Sequence, residues 1–280
     1  MRKVFPLTAL VAAPFFISAC GGGKSGAPLP PARAFTPTIS QNGAGALETS
    51  TVHVARHGID QVMFTFRDGP LRDAVVICAD HAAGACTVVG GPAGTTATAQ
   101  LEGRMAGAHA YAASLRLQQD TDGVLAPSFH RMYQALPGTP DGARPVLPQG
   151  VATYSGEFMA GAGVGGQSGI AEGAMTLTVN FASARLSGVM SGSLRDQGTA
   201  VSGSFNNVVL NPSGQFASDN STTFQFENAL AGGSVQGGFY GPTAQEAAGN
   251  FQLGNASGGM SGIFLTCRST TAPCVSHGAQ

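Results

Sequence analysis

The chain has 280 residues, and its composition excludes several classes of protein at once. It carries 14 Lys and Arg against 15 Asp and Glu, and charged residues make up only 10% of it. Nucleic-acid binding needs clustered Lys and Arg that displace counterions from phosphates, so that class is excluded. The 41 glycines argue against a helical protein, because a glycine costs a helix about 1 kcal/mol relative to alanine. They favour an all-β protein with many tight turns.

The N-terminal segment has the pattern of an export signal. Two basic residues precede an apolar run from Val4 to Ser18. This run is shorter than the roughly 20 residues of a membrane-spanning helix and fits the apolar region of a signal peptide. It ends in Ile-Ser-Ala-Cys and is followed by three glycines. The ending resembles the lipobox of bacterial lipoproteins, which implies that residues 1–19 are removed and that Cys20 is lipidated. The alternative is an ordinary secretory signal with a chance cysteine.

Lipidation has consequences for location. Several acyl chains, at about 0.8 kcal/mol per buried CH₂, attach a protein firmly to a membrane. Residue 21 is glycine rather than the aspartate that retains enteric lipoproteins in the inner membrane, which favours the outer membrane. Residues 20–45 are rich in Gly, Ser and Pro and are predicted to be a flexible tether.

The four remaining cysteines predict disulfides. Cys78 and Cys86 form one local pair, and Cys267 and Cys274 form another. An exported chain meets an oxidising compartment, where disulfides are the default. Three connectivities are possible, and we favour the two local loops because each pair brackets a turn rich in Gly, Pro or Ala. A zinc site is the alternative, but zinc ligands usually have the closer C-x₂₋₄-C spacing.

Alternating apolar residues divide the chain into domains. Residues 46–135 contain short alternating segments and form a predicted β-rich domain. Residues 136–149 are rich in Pro and form a predicted linker. Over 150–268, strands with one apolar face recur about every ten to twelve residues, as in an up-and-down barrel or a sandwich. Residues 269–280 form a tail that holds the last cysteine.

Three details follow from the same alternation. Glycines recur on the apolar faces, for example Gly188 and Gly237, and in a small barrel they would relieve crowding inside. The alternation from Tyr111 to Leu117 needs one shift, which indicates a bulge. Ser128–Tyr133 fits either a last strand or a short helix.

Two segments of the second half resemble the transferrin-binding protein B family. Gly237–Phe251 reads GGFYGPTAQEAAGNF and resembles the family's signature hairpin, a GxFYGP strand, a turn with an acidic residue, and a strand opening AGxF. Leu177–Gly188 reads LTVNFASARLSG and resembles a second family hairpin, with Asn180 in place of the more usual Asp. The resemblance implies an eight-stranded antiparallel up-and-down barrel that follows a smaller β domain, the handle.

The signature hairpin also has a structural explanation. Pro242 lacks an N–H and ends strand pairing, and Gly241 and Gly249 allow close backbone approach. We therefore predict that the motif builds the barrel rather than contacting a ligand. The motif residues are Gly237, Phe239, Tyr240, Gly241, Pro242, Gly249 and Phe251.

The resemblance also implies a function. The family consists of non-catalytic outer-membrane lipoproteins, often placed on the cell surface by a lipoprotein export machinery, that bind transferrin, haem, haem proteins or complement factor H. The fold does not choose among these partners. Family members that bind transferrin have two lobes, whereas this chain has room for one lobe and its loops are short. Both differences argue against transferrin as the ligand. We expect an extracellular macromolecule or an iron-bearing solute as ligand. The alternative is a structural envelope lipoprotein without a released ligand.

Motifs for catalysis or metal binding are weak. His53 and His57 have the spacing of a zinc protease without its glutamate, and on a strand they would lie about 13 Å apart. The glycines of 161–166 match G-x-G-x-x-G without a following helix, which predicts a hairpin loop. Asp80 and His81 lack a nucleophile, and the sequence has no G-x-S-x-G segment. We expect no enzyme and no metal site.

Haem is the one cofactor that the residues allow. Imidazole and phenol side chains ligate haem iron, and they also occur as ordinary core or surface residues of β domains. The candidates in the first half are His109, Tyr111, His130 and Tyr133.

Overall fold

The structure is a computed structural model, and it describes residues 38–41, 48–49, 52–57, 60–69, 71–79, 84–92, 95–121, 124–136, 144–268, 274 and 276–277. Cys20, Asp80 and His81 lie outside the described residues. Within the described ranges every regular element is a β-strand, so the all-β prediction is confirmed. No helix in this part has the length and apolar character needed to cross a membrane.

The first antiparallel sheet forms the handle. Its strands are β1 (Thr38–Gln41), β2 (Glu48–Thr49), β3 (Val52–Arg56), β4 (Gln61–Phe66), β5 (Ala74–Ala79), β6 (Gly84–Gly90), β7 (Thr95–Ala106), β8 (Ala110–Thr121) and β9 (Val124–Ala135). They lie in the order β2-β1-β9-β8-β7-β6-β5-β4-β3. Ser128–Tyr133 is therefore part of a strand, and the irregularity lies on β7, where the register with β8 shifts between Leu101 and Gly103.

The second sheet closes into a barrel. Its strands are β10 (Val151–Val164), β11 (Gln167–Asn180), β12 (Arg185–Leu194), β13 (Ala200–Leu210), β14 (Gln215–Ala217), β15 (Thr223–Phe226), β16 (Ala229–Tyr240), β17 (Glu246–Asn255) and β18 (Gly258–Arg268). Strands β14 and β15 both pair with β13 and β16 and share one position. Strand β18 pairs back with β10. The predicted eight-stranded up-and-down barrel is confirmed.

Side chains fill the barrel. Its core includes buried rings of Tyr154, Phe158, Phe205, Phe216, Phe239, Phe251 and Phe264. A Cβ added at Gly188 would collide with the ring of Phe205, and one at Gly237 would collide with the ring of Phe216. The glycines on the inner face therefore make room for aromatic rings, as the sequence predicted.

The handle has its own core and is almost closed. Phe64, Phe66 and Leu115 are among its buried side chains. The side-chain amide of Gln134 on β9 donates a 2.9 Å hydrogen bond to the carbonyl of Val54 on β3. This bond joins β3, at one edge of the sheet, to the part of β9 that lies beyond its pairing with β1. The Cys78–Cys86 disulfide links the adjacent strands β5 and β6.

The handle packs on the outside of the barrel. One apolar cluster contains Met105, Ala110, Ala112 and Tyr133 of the handle and Met159, Tyr240, Ala248, Ile263 and Leu265 of the barrel. The C-terminal tail adds a second connection. The Cys267–Cys274 disulfide holds Cys274 beside β18, and strand β19 (Ser276–His277) pairs with Ala106 and Met105 of β7.

Candidate binding cleft between handle and barrel

Glu246 of the signature hairpin joins the two domains. It is the first residue of β17 and is 4% exposed. Its carboxylate accepts hydrogen bonds from the backbone N–H groups of Ala108 at 2.6 Å, His109 at 2.9 Å and Ala110 at 2.7 Å. Consecutive backbone N–H groups of this kind form an anion-binding concavity, and bonds to a charged acceptor are stronger than neutral ones. The turn between β7 and β8 is thereby held against the barrel.

Two glycines make this contact possible. A Cβ added at Gly107 would collide with the Glu246 carboxylate. Gly241 has a φ of +82°, and a Cβ there would lie 2.7 Å from Cδ2 of the His109 ring. The signature hairpin therefore positions the handle as well as building the barrel. Sequence reasoning missed this role, although the acidic residue of the turn was a visible signal.

The four candidate haem ligands do not converge. Tyr111 belongs to the handle core, and His130 lies directly opposite Leu115 on the face that forms that core. Tyr133 lies on the other face of the sheet, in the apolar cluster against the barrel. His109 lies in the turn that Glu246 holds.

His130 has the environment of a core residue. It is 1% exposed, and its ring meets the ring of Phe66 edge-on at 4.9 Å between centroids. Burial, assisted by the charge of Arg131, lowers the pKa of His130 from 6.5 to about 3. Burial also raises the pKa of the Tyr133 hydroxyl. Both side chains are therefore neutral at physiological pH.

The other chemical motifs have structural explanations. His53 lies within β3 and His57 just beyond its end. In the described part of the chain no three His, Cys, Asp or Glu side chains are placed to hold a metal ion. Gly165 and Gly166 form the two-residue turn between β10 and β11, with φ values of +59° and +81°. This is the hairpin loop that the sequence predicted, because such turns need positive φ at both positions.

A cleft of about 1110 Å³ lies between the handle and the outer wall of the barrel. The wall under it consists mainly of small residues in two adjacent rows, which we call the floor. The first row crosses five neighbouring strands and contains Ile170, Gly161, Ser261, Gln252 and Ser234. The second row contains Ser168, Gly163, Gly259, Gly254 and Gly232.

Three charged side chains of the handle face this floor: Glu102, Arg116 and Arg131. Glu102 accepts a 2.8 Å hydrogen bond from the hydroxyl of Ser114. Arg131 is 5% exposed, and burial lowers its pKa to about 10 while the charge of Glu102 opposes that shift. Arg131 therefore remains a cation at neutral pH, beside the carboxylate of Glu102.

Arg131 lies at the boundary between the cleft and the packed interface of handle and barrel. Its backbone carbonyl accepts a 3.0 Å hydrogen bond from the side-chain amide of Asn250. A Cβ added at Gly161 would lie 3.3 Å from its guanidinium. The guanidinium therefore sits directly over the glycine of the floor.

Two polar groups of the cleft lining have no partner among the described residues. Arg116 is exposed, and it forms no hydrogen bond or ion pair with any residue that the structure describes. The Oε1 atom of Gln252 is buried and has no hydrogen-bond partner within the described ranges. The described lining of the cleft thus contains an unpaired cation and an unsatisfied hydrogen-bond acceptor.

The described lining of the cleft contains few titratable groups. Of the described residues that line the cleft, Glu102 is the one carboxylate, and none is His, Cys or Tyr. Sequence reasoning did not single out Arg116 or Gln252. The available signal was the set of glycines on the outward faces of β10, β17 and β18.

Several solved structures are similar to this chain. A double mutant of transferrin-binding protein B from Haemophilus parasuis Hp5 is 15% identical with a TM-score of 0.40, over 80% of this chain and 62% of that one. The isotype 1 protein from serogroup B Neisseria meningitidis is 13% identical with a TM-score of 0.35, over 81% of this chain and 60% of that one. A mutant from Actinobacillus pleuropneumoniae H49 is 12% identical with a TM-score of 0.37, over 79% and 98%. The chain thus spans less than two thirds of the first two structures.

One family model matches part of this chain. A search of curated proteins returned no match. Residues 147–268 match the family described as the C-lobe and N-lobe beta barrels of Tf-binding protein B. This range contains every strand of the barrel, from β10 to β18. The barrel of this chain is therefore a transferrin-binding protein B-like barrel.

Proposed function

We propose that this chain is a lipid-anchored, non-catalytic binding protein on the outer surface of the outer membrane, and that its ligand is a macromolecule. The observation that carries the proposal is the fixed position of the handle on a filled barrel, with a cleft open between them. The Glu246 carboxylate, the apolar cluster and the tail strand all hold that position. A rigid surface of this kind lowers the entropy cost of binding a large partner.

The N-terminal sequence supports the location. Cys20 is the last residue of a lipobox-like segment, and a Gly-, Ser- and Pro-rich segment separates it from the handle. A lipid anchor on such a tether would hold the folded domains away from the membrane. The relatives are named for transferrin binding, and for this chain that name supports a protein ligand in general.

Haem is a weaker candidate than a macromolecule. Iron in haem is ligated by His, Cys, Met or Tyr. None of the described lining residues of the cleft is His, Cys or Tyr, and its one methionine, Met260, is packed in the barrel core. The candidate ligands His130 and Tyr133 are buried on opposite faces of the handle sheet.

Protease treatment of intact cells tests the location. We expect an added protease to remove the protein while a periplasmic control protein survives, and Cys20→Ala to abolish the surface signal. Survival of the protein until the cells are lysed would overturn the surface assignment and favour a structural envelope role.

A haem titration tests the ligand class. The full chain, purified in detergent, is titrated with haem and followed by absorbance in the Soret region. We expect no saturable shift. A shift with one-to-one stoichiometry would replace the macromolecule with haem as the ligand.

A further inference from the structure

We propose that the cleft binds an extended, acidic peptide segment of the partner. This inference rests on the proposed function, because it assumes that the ligand is a macromolecule. It assigns a binding site and a ligand chemistry to the space between handle and barrel.

The shape of the floor fits an extended chain. Its two rows cross five neighbouring strands, β11, β10, β18, β17 and β16. Neighbouring strands lie about 4.8 Å apart, so the floor is about 19 Å long, and its two rows make it about 7 Å wide. An extended polypeptide rises about 3.3 Å per residue. The floor therefore has the length of about six extended residues.

Two glycines of the floor are not required by the fold. A Cβ added at Gly163 would have its nearest neighbour at 3.7 Å, and one at Gly232 at 4.0 Å. These are ordinary contact distances, and neither glycine has a positive φ. By contrast, a Cβ at Gly156 or Gly262 of the same barrel would collide with backbone. The absence of side chains at Gly163 and Gly232 keeps the floor open.

The charges of the cleft favour a carboxylate. Its described lining holds two arginines and one glutamate. Glu102 lies beside Arg131 and compensates part of its charge, whereas Arg116 is exposed and without a partner in the described ranges. Arginine binds carboxylates through paired, charge-assisted hydrogen bonds. An Asp or Glu side chain of the bound segment would supply that carboxylate.

The acceptor in the cleft favours a peptide over a simple anion. The buried Oε1 atom of Gln252 has no partner within the described residues, and a buried acceptor is costly when it stays unsatisfied. An acidic peptide carries backbone N–H donors, which could bind Gln252, as well as carboxylates, which could bind Arg116. An anion without an O–H group, such as chloride or sulfate, would pair with Arg116 but could not donate to Gln252.

A pair of short peptides tests the proposal. The probe is a rhodamine-labelled peptide of three Gly-Glu repeats, and the comparison peptide has three Gly-Gln repeats. Binding to the full chain in detergent is followed by fluorescence anisotropy. We expect saturable binding of the Gly-Glu peptide and at least tenfold weaker binding of the Gly-Gln peptide.

Four variants locate the binding. Arg116→Gln should weaken binding of the acidic peptide about tenfold, to the level of the neutral peptide. Gly232→Leu fills the floor and should weaken binding of both peptides. Arg67→Gln removes an exposed handle arginine outside the cleft, and Gly84→Leu adds a side chain where no atom lies within 4 Å. Both control variants should bind like the wild type.

The outcomes separate this inference from the proposed function. A surface-exposed wild-type protein that binds neither peptide overturns the cleft proposal and leaves the proposed function standing. Equal affinity for the two peptides, or wild-type affinity in both Arg116→Gln and Gly232→Leu, also overturns it. A protein that protease treatment places in the periplasm overturns the proposed function, whatever the peptides do.

Discussion

The carboxylate of Glu246 in the barrel accepts a 2.9 Å hydrogen bond from the backbone N–H of His109 in the handle. The neighbouring N–H groups of Ala108 and Ala110 share the same carboxylate. A residue at the start of β17, just after the turn that follows Tyr240, thus fixes a turn of the other domain. The open cleft depends on this contact, because the position of the handle defines one of its sides.

We expect Glu246→Gln to loosen the handle. The glutamine side chain keeps one acceptor oxygen but carries no charge. Its NH₂ group would face backbone N–H groups, which are also donors. Hydrogen bonds to charged groups contribute about 1.5–3 kcal/mol each, and leaving buried donors unsatisfied adds to the loss. A decrease of about 2–4 kcal/mol in the free energy of unfolding should appear in denaturant titrations.

Glu172→Gln is the matched control. Glu172 pairs with Arg195 on the exposed surface of the barrel, where an ion pair contributes about 0–1 kcal/mol. Equal destabilisation by the two variants would contradict a special role for Glu246.

We expect Gly107→Ala to depend on Glu246. The added methyl group would collide with the carboxylate, so the variant should lose one or more of the three backbone hydrogen bonds. In the background of Glu246→Ala the same methyl group finds space. A double-mutant cycle on unfolding free energies should give a coupling of about 1–3 kcal/mol. Additive effects would show that Gly107 and Glu246 act independently.

Acid should destabilise the handle through His130. Its pKa is about 3 in the folded protein against 6.5 in the unfolded chain. The unfolded chain therefore binds an extra proton between these values, and stability is lost as the pH falls from about 6.5 towards 3. The slope from this group is at most about 1.4 kcal/mol per pH unit.

His130→Leu removes that titration. Unfolding free energies measured at pH 7 and pH 5 should fall less on acidification in the variant than in the wild type. The comparison uses the difference between two pH values, so an altered stability at pH 7 does not affect it. The same pH dependence in both proteins would exclude His130 as its source.

Breaking the Cys267–Cys274 disulfide should release the tail. The bond holds the tail beside β18, and β19 then pairs with Met105 and Ala106 of β7. Closing a short loop of this kind restricts the unfolded tail by about 2–3 kcal/mol. In Cys274→Ser, hydrogen exchange at Ser276 and His277 should rise sharply.

The other disulfide gives the control for that measurement. The double variant Cys78→Ser, Cys86→Ser removes a bond between two strands of the handle. It should leave exchange in the tail unchanged. Protection of Ser276 in Cys274→Ser equal to that in the wild type would show that strand pairing alone holds the tail.

The sequence did not determine on which faces of the handle sheet the candidate haem ligands lie. His130 and Tyr133 are three residues apart, a spacing that places them on one face of a helix but on opposite faces of a strand. The sequence of Ser128–Tyr133 is compatible with a helix and with a strand. Once the structure makes it part of β9, the two side chains separate into different cores.

The sequence by itself determined the barrel, because the causes are local. Two-residue alternation sets the inner face of each strand, and turn glycines such as Gly165 and Gly166 set the hairpins. The two cysteine pairs were also local, and both form the predicted bonds. The signature hairpin added the resemblance to the transferrin-binding protein B family.

Only the tertiary structure decided how the two domains meet. Glu246 and His109 are 137 residues apart, and no periodicity links a turn in one domain to a turn in the other. The floor of the cleft depends on the register of five strands, which places Gly161, Ser261 and Gln252 in one row. Register across a sheet is set by the closure of the whole barrel. The arginines over that floor come from a domain that reaches it only through folding.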